Sequence, residues 1–225
     1  MRNGHTMYET IIFDLDGTLL DTLDDLTDAT NFALGVCGLP SRTREEVRAF
    51  VGNGIVKLME RAVGKDGMAY HEKALTEFKS YYAAHCADKT APYAGILPLL
   101  KTLQAGGVKT AVVSNKVDFA VKSLAKTYFD GLLLAAVGED EAAGIRKKPA
   151  PDSLLAVMEE LSASAETTLY VGDSEVDIQT AKNAGVDCLC VTWGFRDKPY
   201  LEEEGGRMFV DAAEEILDYT KGAGI

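Results

Sequence analysis

Two kinds of hydrophobic pattern divide the chain. Residues 9–15 form an apolar, β-rich run that leads into Asp14-Leu15-Asp16-Gly17-Thr18, which predicts a buried strand followed by a glycine turn. From about residue 20 to residue 87 the apolar positions instead recur at helical spacing, as they do along residues 55–63. The pattern therefore predicts one strand followed by a compact bundle of helices.

Capping signals indicate where two helices of this bundle begin. Thr22 is followed three residues later by Asp25, and Thr43 by Glu46, a spacing that resembles a capping box. We therefore expect helices to start after Thr22 and after Thr43.

After residue 95, strand and helix patterns alternate towards the C-terminus. The predicted strands are Lys109–Val113, Gly131–Val137, Thr168–Val171, Cys188–Thr192 and Met208–Val210. The predicted helices are Leu97–Gln104, Phe119–Tyr128, Ser153–Leu161, Val176–Ala184 and one more at the C-terminal end. Strands separated by helices are typical of a mostly parallel sheet covered on both faces, the α/β doubly wound fold.

The change of pattern also predicts two domains. Residues 1–19 and 90–225 are expected to form an α/β core, and residues 20–89 an inserted α-helical domain. A hinged insertion of this kind is suited to closing over a crevice and excluding water from it.

Composition and charge narrow the possible partners. The chain of 225 residues is 47% hydrophobic and 26% charged, as globular proteins are. Its 23 Lys and Arg against 35 Asp and Glu give a net charge of −12, which disfavours nucleic acid and anionic lipid as partners. No apolar run reaches the length of about 18 residues that a membrane span needs. We expect a cytoplasmic protein whose four cysteines are reduced.

Polar side chains stand at the ends of four predicted strands. They are Asp14 and Asp16, Ser114 and Asn115, residues 138–140, and Asp173 with Asp177. Because ligands of open α/β sheets bind at the carboxyl ends of the strands, we expect these residues to converge. Converging carboxylates repel each other unless a cation neutralises them, and oxygen ligands favour magnesium. The alternative is that each Asp only forms a turn or caps a helix.

Four segments, in this order, resemble the motifs of the haloacid dehalogenase-like phosphatases. They are Asp14-Leu15-Asp16-Gly17-Thr18-Leu19-Leu20-Asp21-Thr22, Ser114-Asn115-Lys116, Lys148-Pro149-Ala150-Pro151 and Gly172-Asp173-Ser174-Glu175-Val176-Asp177. The resemblance extends over essentially the whole chain and implies a Rossmann-like core with a cap domain. Gly52-Asn53-Gly54 and Thr192-Trp193-Gly194-Phe195 make it most similar to the phosphoglycolate phosphatase branch.

The resemblance implies catalytic roles for two aspartates. Asp14 would be the nucleophile and form an aspartyl-phosphate, while Asp16 would act first as general acid and then as general base. Ser114, Asn115 and Lys148 would bind the substrate phosphate, because phosphoryl transfer depends mainly on positioning and charge stabilisation.

The same resemblance implies a Mg²⁺ site. Asp14, Asp16 through its backbone carbonyl, and Asp173 would bind the ion. Asp177, four residues after Asp173, would hydrogen-bond a metal-bound water or orient Lys148.

These roles define the expected function, the hydrolysis of a small phosphomonoester, with 2-phosphoglycolate as the expected substrate. The backbone amides of Gly52-Asn53-Gly54, ahead of a predicted helix, are candidates to receive its carboxylate, although these glycines also suit a simple tight turn.

Two other functions remain open at this point. A sugar phosphomutase of the beta-phosphoglucomutase type uses the same four motifs, and the core does not separate the two activities. A phosphoacceptor signalling domain also gathers acids, a hydroxyl and a lysine. Asp16 beside the nucleophile disfavours it, because a signalling switch benefits from a long-lived aspartyl-phosphate.

Overall fold

The structure of the protein is a computed structural model that describes residues 7–140 and 144–220. Within them the chain forms two compact units. Leu20–Ala91 forms the helical unit, and the described residues up to Leu19 and from Pro92 onward form the sheet unit.

Six parallel strands build the sheet unit. In chain order the strands of the protein are β1 (Thr10–Phe13), β2 (Leu20–Asp21), β3 (Ala91–Pro92), β4 (Lys109–Val117), β5 (Ala135–Glu139), β6 (Thr168–Gly172), β7 (Asp187–Val191) and β8 (Met208–Val210). The sheet has the order β5-β4-β1-β6-β7-β8, and every neighbouring pair is parallel. The short strands β2 and β3 pair with each other where the chain enters and leaves the helical unit.

Nine α-helices lie within the described residues. They are α1 (Leu23–Val36), α2 (Arg44–Phe50), α3 (Gly54–Val63), α4 (His71–His85), α5 (Ile96–Ala105), α6 (Asp118–Phe129), α7 (Asp152–Glu160), α8 (Glu175–Ala184) and α9 (Lys198–Glu203). Short 3₁₀ helices occupy Lys65–Tyr70, Ala165–Thr167 and Ala213–Tyr219. Strands alternating with helices around a parallel sheet confirm the predicted α/β doubly wound fold.

The central strand β1 is buried along its whole length, so its sequence is continuously apolar rather than alternating. On one face of the sheet, Ile12 and Tyr170 pack with Leu154 and Val157 of α7 in a single hydrophobic cluster. Burial on this face holds the central strands in one register.

The strand order reverses at β1. The chain runs from β1 to β4 and β5 on one side, then returns to β6, β7 and β8 on the other. Phe13 lies level with Val112 of β4 and Val171 of β6, so β1 and β6 end close together, while β4 continues to Val117. A crevice at the carboxyl ends of such diverging strands is where ligands of this fold class bind.

The C-terminal part of the sheet unit differs from the sequence prediction. The predicted final helix is a 3₁₀ helix, Ala213–Tyr219. After this helix the chain turns so that Thr220 bridges Tyr8, and 3₁₀ helices are frequent in such short connecting segments. Helix α9 was not predicted, and β4 continues to Val117 past a register shift after Val113.

The helical unit confirms one of the two predicted capping boxes. Thr43 Oγ1 accepts a hydrogen bond from Glu46 N, and the Glu46 side chain accepts one from Thr43 N. The box predicted at Thr22 is wrong, because the Thr22 side chain makes no capping hydrogen bond. Asp25 is engaged elsewhere: its carboxyl group accepts hydrogen bonds from Lys89 N at 3.0 Å, Thr90 N at 2.9 Å and Thr90 Oγ1 at 2.8 Å.

Two further expectations concern thiols and membranes. All four cysteines are free thiols, and Cys190 is buried. Within the described residues, no helix is both long enough and apolar enough to cross a bilayer.

We predict that Asp25→Ala lowers the free energy of unfolding by about 2 kcal/mol or more, because it leaves buried backbone donors without an acceptor. Asp28→Ala is the matched control on the same helix. Its carboxylate contacts Lys89 Nζ at 2.6 Å, but both side chains are exposed, so stability should change little. Urea denaturation followed by circular dichroism measures both variants, and equal losses would contradict the assignment.

Candidate active site

Three carboxyl groups meet at the carboxyl edge of the sheet. Asp14 follows β1, Asp173 follows β6, and Asp177 lies in the first turn of α8. One oxygen of each lies within 4.8 Å of the others. The residues are only 8%, 1% and 0% exposed, respectively. These acids, predicted from separate parts of the sequence, therefore lie together.

Lys148 brings a positive charge to this group. Its Nζ lies 3.0 Å from Asp14 Oδ1 and 2.7 Å from Asp177 Oδ1. Burial favours the neutral amine, but the carboxylates of Asp14 and Asp177 raise the pKa of Lys148 well above its ordinary value. The Lys148 ammonium therefore contacts two of the three carboxyl groups.

Asp177 is already saturated with protein donors. Its oxygens accept hydrogen bonds from Lys148 Nζ, Tyr170 Oη, Asp173 N, Ser174 N and Ser174 Oγ. The Ser174 contacts form a capping box at the start of α8. This carboxylate is thus placed to hold Lys148 and the turn after β6.

Asp173 is held between two glycines. Phe195 N donates a hydrogen bond of 2.6 Å to its Oδ2, and Thr18 Oγ1 one of 3.3 Å to its Oδ1. A Cβ atom on Gly17 would lie 2.3 Å from Asp173 Oδ2, and one on Gly194 would lie 2.3 Å from Asp173 Cβ. Only glycine at both positions leaves room for this carboxyl group.

Burial disfavours the negative charge of two of these acids. It raises the pKa of Asp14 to about 7, against a lowering by Lys148 and with further raising by Asp177 and Asp16. Burial likewise raises the pKa of Asp173 well above its ordinary range, and the nearby Asp177 and Asp14 add to this. A divalent cation would remove the repulsion, and the donors are all carboxylate oxygens. The residues present therefore fit a hard divalent cation.

The side chain of Asp16 lies outside the acidic cluster. Its two oxygens are 3.0 Å and 3.1 Å from Lys116 Nζ, and the Lys116 side chain is only 3% exposed. The sequence analysis assigned Lys116 no role, although it belongs to the Ser114-Asn115-Lys116 segment.

The other expected residues divide between this crevice and its surroundings. Ser114 and Asn115 are buried in the last part of β4, and Asn115 Nδ2 donates a 2.9 Å hydrogen bond to the carbonyl of Lys148. Of residues 138–140, none belongs to the carboxyl cluster found among the described residues. Instead, Gly138 packs closely against the backbone of Lys116 and Asp118.

Tyr170 also belongs to the site, and the sequence analysis missed it. Its hydroxyl accepts a 2.9 Å hydrogen bond from Lys148 Nζ and lies 3.2 Å from Asp177 Oδ1 and 3.1 Å from the carbonyl of Val113. A tyrosine within the otherwise apolar strand β6 was the available signal, because a buried hydroxyl needs a partner.

Gly52-Asn53-Gly54 lies in the helical unit at the start of α3. Arg61 donates hydrogen bonds of 2.7 Å to Asn53 Oδ1 and to the carbonyl of Phe50. This contact fixes the loop from within its own unit. A role for the loop in substrate binding stays a prediction.

The doubly wound parallel sheet, with the carboxyl cluster and buried lysine at its edge, places the protein in the Rossmann-like α/β class. The sequence pattern of the haloacid dehalogenase-like hydrolases matches residues 11–191, and the chain belongs to that family. This confirms the resemblance found in the four motifs.

Curated relatives give the same picture. A phosphoglycolate phosphatase of Pseudomonas syringae pv. syringae is 36% identical over 214 residues, which cover 92% of this chain and 78% of the relative. A phosphoglycolate phosphatase of Rhodospirillum rubrum is 34% identical over 220 residues, covering 92% of this chain and 89% of the relative.

Solved structures are similar over nearly the whole chain. A predicted phosphoglycolate phosphatase from Lactobacillus delbrueckii subsp. bulgaricus superposes with a TM-score of 0.87 at 40% identity, covering 93% of this chain and 97% of that one. One from Haemophilus somnus gives a TM-score of 0.85 at 27% identity, covering 96% of this chain and 99% of that one. Together, these relatives support phosphoric monoester hydrolase activity.

We predict that Tyr170→Phe lowers stability by about 1–3 kcal/mol, since it removes a partner from buried charged groups. It should also reduce phosphatase activity by about 10-fold or more, because Lys148 loses an orienting contact. Urea denaturation and phosphate release measure the two effects. Tyr81→Phe is the control, because Tyr81 stacks on Phe32 and His85 through its ring. Wild-type behaviour of Tyr170→Phe would contradict the assignment.

Proposed function

We propose that the protein is a magnesium-dependent phosphatase that hydrolyses 2-phosphoglycolate through an aspartyl-phosphate on Asp14. The observation that carries this proposal is the contact of Asp14 with Lys148 at 3.0 Å in the buried acidic cluster. A lysine there can bind the phosphoryl group next to the attacking carboxylate.

In the first step, an oxygen of Asp14 attacks the phosphorus and the bond from phosphorus to the ester oxygen breaks. Leu15 N donates a 2.7 Å hydrogen bond to Asp14 Oδ1 and so orients the carboxylate. Lys148 and Ser114 bind the equatorial phosphoryl oxygens, whose negative charge grows during the transfer. The carboxyl group of Asp16 gives its proton to the leaving alkoxide, which departs as an alcohol.

In the second step, a water molecule attacks the phosphorus and passes a proton to the Asp16 carboxylate. The bond from phosphorus to Asp14 then breaks, which releases inorganic phosphate and restores both aspartates. Asp16 thus ends the cycle protonated, ready to act as an acid again.

Asp14, the backbone carbonyl of Asp16 and Asp173 would hold the Mg²⁺ ion. When bound, the ion neutralises the converging carboxylates and withdraws charge from the phosphoryl oxygens. Asp177 keeps the role of positioning Lys148, since five hydrogen bonds already occupy its oxygens.

The proposed substrate rests on the phosphoglycolate phosphatases named above, which this chain matches over 78% and 89% of their length. In the same family, a sugar phosphomutase would return the phosphoryl group to the substrate instead of to water. Assays with phosphoglycolate and with hexose phosphates, followed by phosphate release and by isomerisation, distinguish the two activities. Isomerisation without phosphate release would overturn the proposal.

We predict that Asp14→Asn reduces phosphate release from 2-phosphoglycolate to the background level, because the amide cannot form the aspartyl-phosphate. Its circular dichroism spectrum should match that of the wild type. Asp187→Asn serves as the control, because Asp187 accepts a hydrogen bond from Tyr8 at the opposite end of the strands. Full activity of Asp14→Asn would remove the nucleophile from the mechanism.

We also predict a cation effect that depends on pH. With a pKa raised from 3.8 to about 7, Asp14 binds its proton more tightly in the folded state. Its contribution to the stability of the cation-free protein is therefore greatest below its unfolded pKa and falls as the pH rises towards about 7. Because the cation binds the carboxylate form, Mg²⁺ should stabilise the protein more at about pH 8 than at about pH 5.5.

Thermal unfolding with and without Mg²⁺ at the two pH values tests this cation effect. A free ion concentration 100 times its Kd should add about 2.7 kcal/mol. Asp173→Asn should abolish the effect and Asp28→Asn should preserve it. A stabilisation independent of pH would place the ion away from Asp14.

A further inference from the structure

Lys116 and Asp16 form a buried ion pair at the edge of the crevice. Lys116 Nζ contacts both carboxylate oxygens, at 3.0 Å and 3.1 Å, and so fixes the plane of the carboxylate as well as its position. The side chains are only 3% and 15% exposed. A solvated lysine side chain following a strand would not show this burial.

The backbone around Lys116 explains why its side chain reaches Asp16. The pairing of β4 with β5 shifts register between Val113 and Val117, and such irregularities re-aim side chains beside active sites. A Cβ atom on Gly138 would lie 2.5 Å from the Lys116 carbonyl oxygen, so β5 approaches this backbone closely. The packing of β5 against β4 thus fixes the backbone of Lys116.

Asp16 needs such a contact because other negative charges lie nearby. It follows Asp14 by two residues, and its charge is one of those that raise the pKa of Asp14. An unpaired Asp16 side chain could also turn towards the cation that the cluster fits. Lys116 offers it an opposing charge on the other side.

We propose that Lys116 is a positioning residue that holds the Asp16 carboxyl group in place for proton transfer, and this inference rests on the proposed function. The ammonium itself neither bonds to the phosphoryl group nor exchanges a proton in either step. Its effect reaches the substrate only through Asp16.

The test uses leaving groups that differ in their need for a proton. Alkoxide departure from 2-phosphoglycolate requires the Asp16 proton, whereas p-nitrophenolate leaves p-nitrophenyl phosphate as a stable anion. Lys116→Met should lower kcat/KM for phosphoglycolate at least about tenfold more than for p-nitrophenyl phosphate, because general acid catalysis is worth about 10²–10⁴-fold. Lys122→Met is the matched control, since Lys122 pairs with Asp118 on the surface of α6.

A double-mutant cycle separates positioning from direct contact. In an Asp16→Asn background, Lys116→Met should cause little further loss, because its effect acts through Asp16. The Mg²⁺-induced thermal shift of Lys116→Met should equal that of the wild type. If Lys116→Met is poorly folded, Lys116→Arg and Lys116→Gln provide a second comparison. Lys116→Arg keeps the charge and should retain more phosphoglycolate activity than Lys116→Gln, which loses it.

Equal losses on the two substrates, or losses that add in the double variant, would overturn the inference and indicate a direct phosphate contact or a purely structural pair. An inactive wild type on both substrates would instead count against the proposed function. The two failures are thus distinguishable.

Discussion

The main constraint on this structure is the repulsion among several buried carboxyl groups, because little water is present to screen their charges. Asp14, Asp173 and Asp177 lie together, with the Lys148 ammonium in contact with Asp14 and Asp177 and the charge of Arg196 acting on Asp173. Hydrogen-bond donors partly offset this repulsion. Asp177 accepts five hydrogen bonds and Asp173 accepts two. The pKa values of Asp14 and Asp173 remain raised, and the carboxyl cluster therefore fits a divalent cation.

The strand order of the sheet determines which of these carboxyl groups come together. Because β4 and β6 flank β1 in parallel, Asp14 after β1 and Asp173 after β6 lie together although they are far apart in the sequence. Burial of the apolar strands stabilises this register, while the polar residues that follow them are brought together at an electrostatic cost. The hydrophobic core therefore supports the geometry of the carboxyl cluster.

Much of this could be predicted from the sequence, because apolar strands and the acids that end them are encoded locally. What could not be predicted depends on distant partners. Asp25 resembled half of a capping box, but its hydrogen bonds go to Thr90, 65 residues away. The role of Lys116 depends on a register shift between β4 and β5. The role of Tyr170, a strand residue, depends on its contact with Lys148 from a loop. Periodicity and spacing carry no information about such contacts.

The pairing of β2 with β3 has an evolutionary consequence. The chain leaves the sheet unit and returns to it through two adjacent strands, so the strand order is the same whatever is inserted between them. A segment tethered in this way can change in length without changing the order of the sheet strands. The inserted segment and the sheet can thus diverge at different rates in evolution.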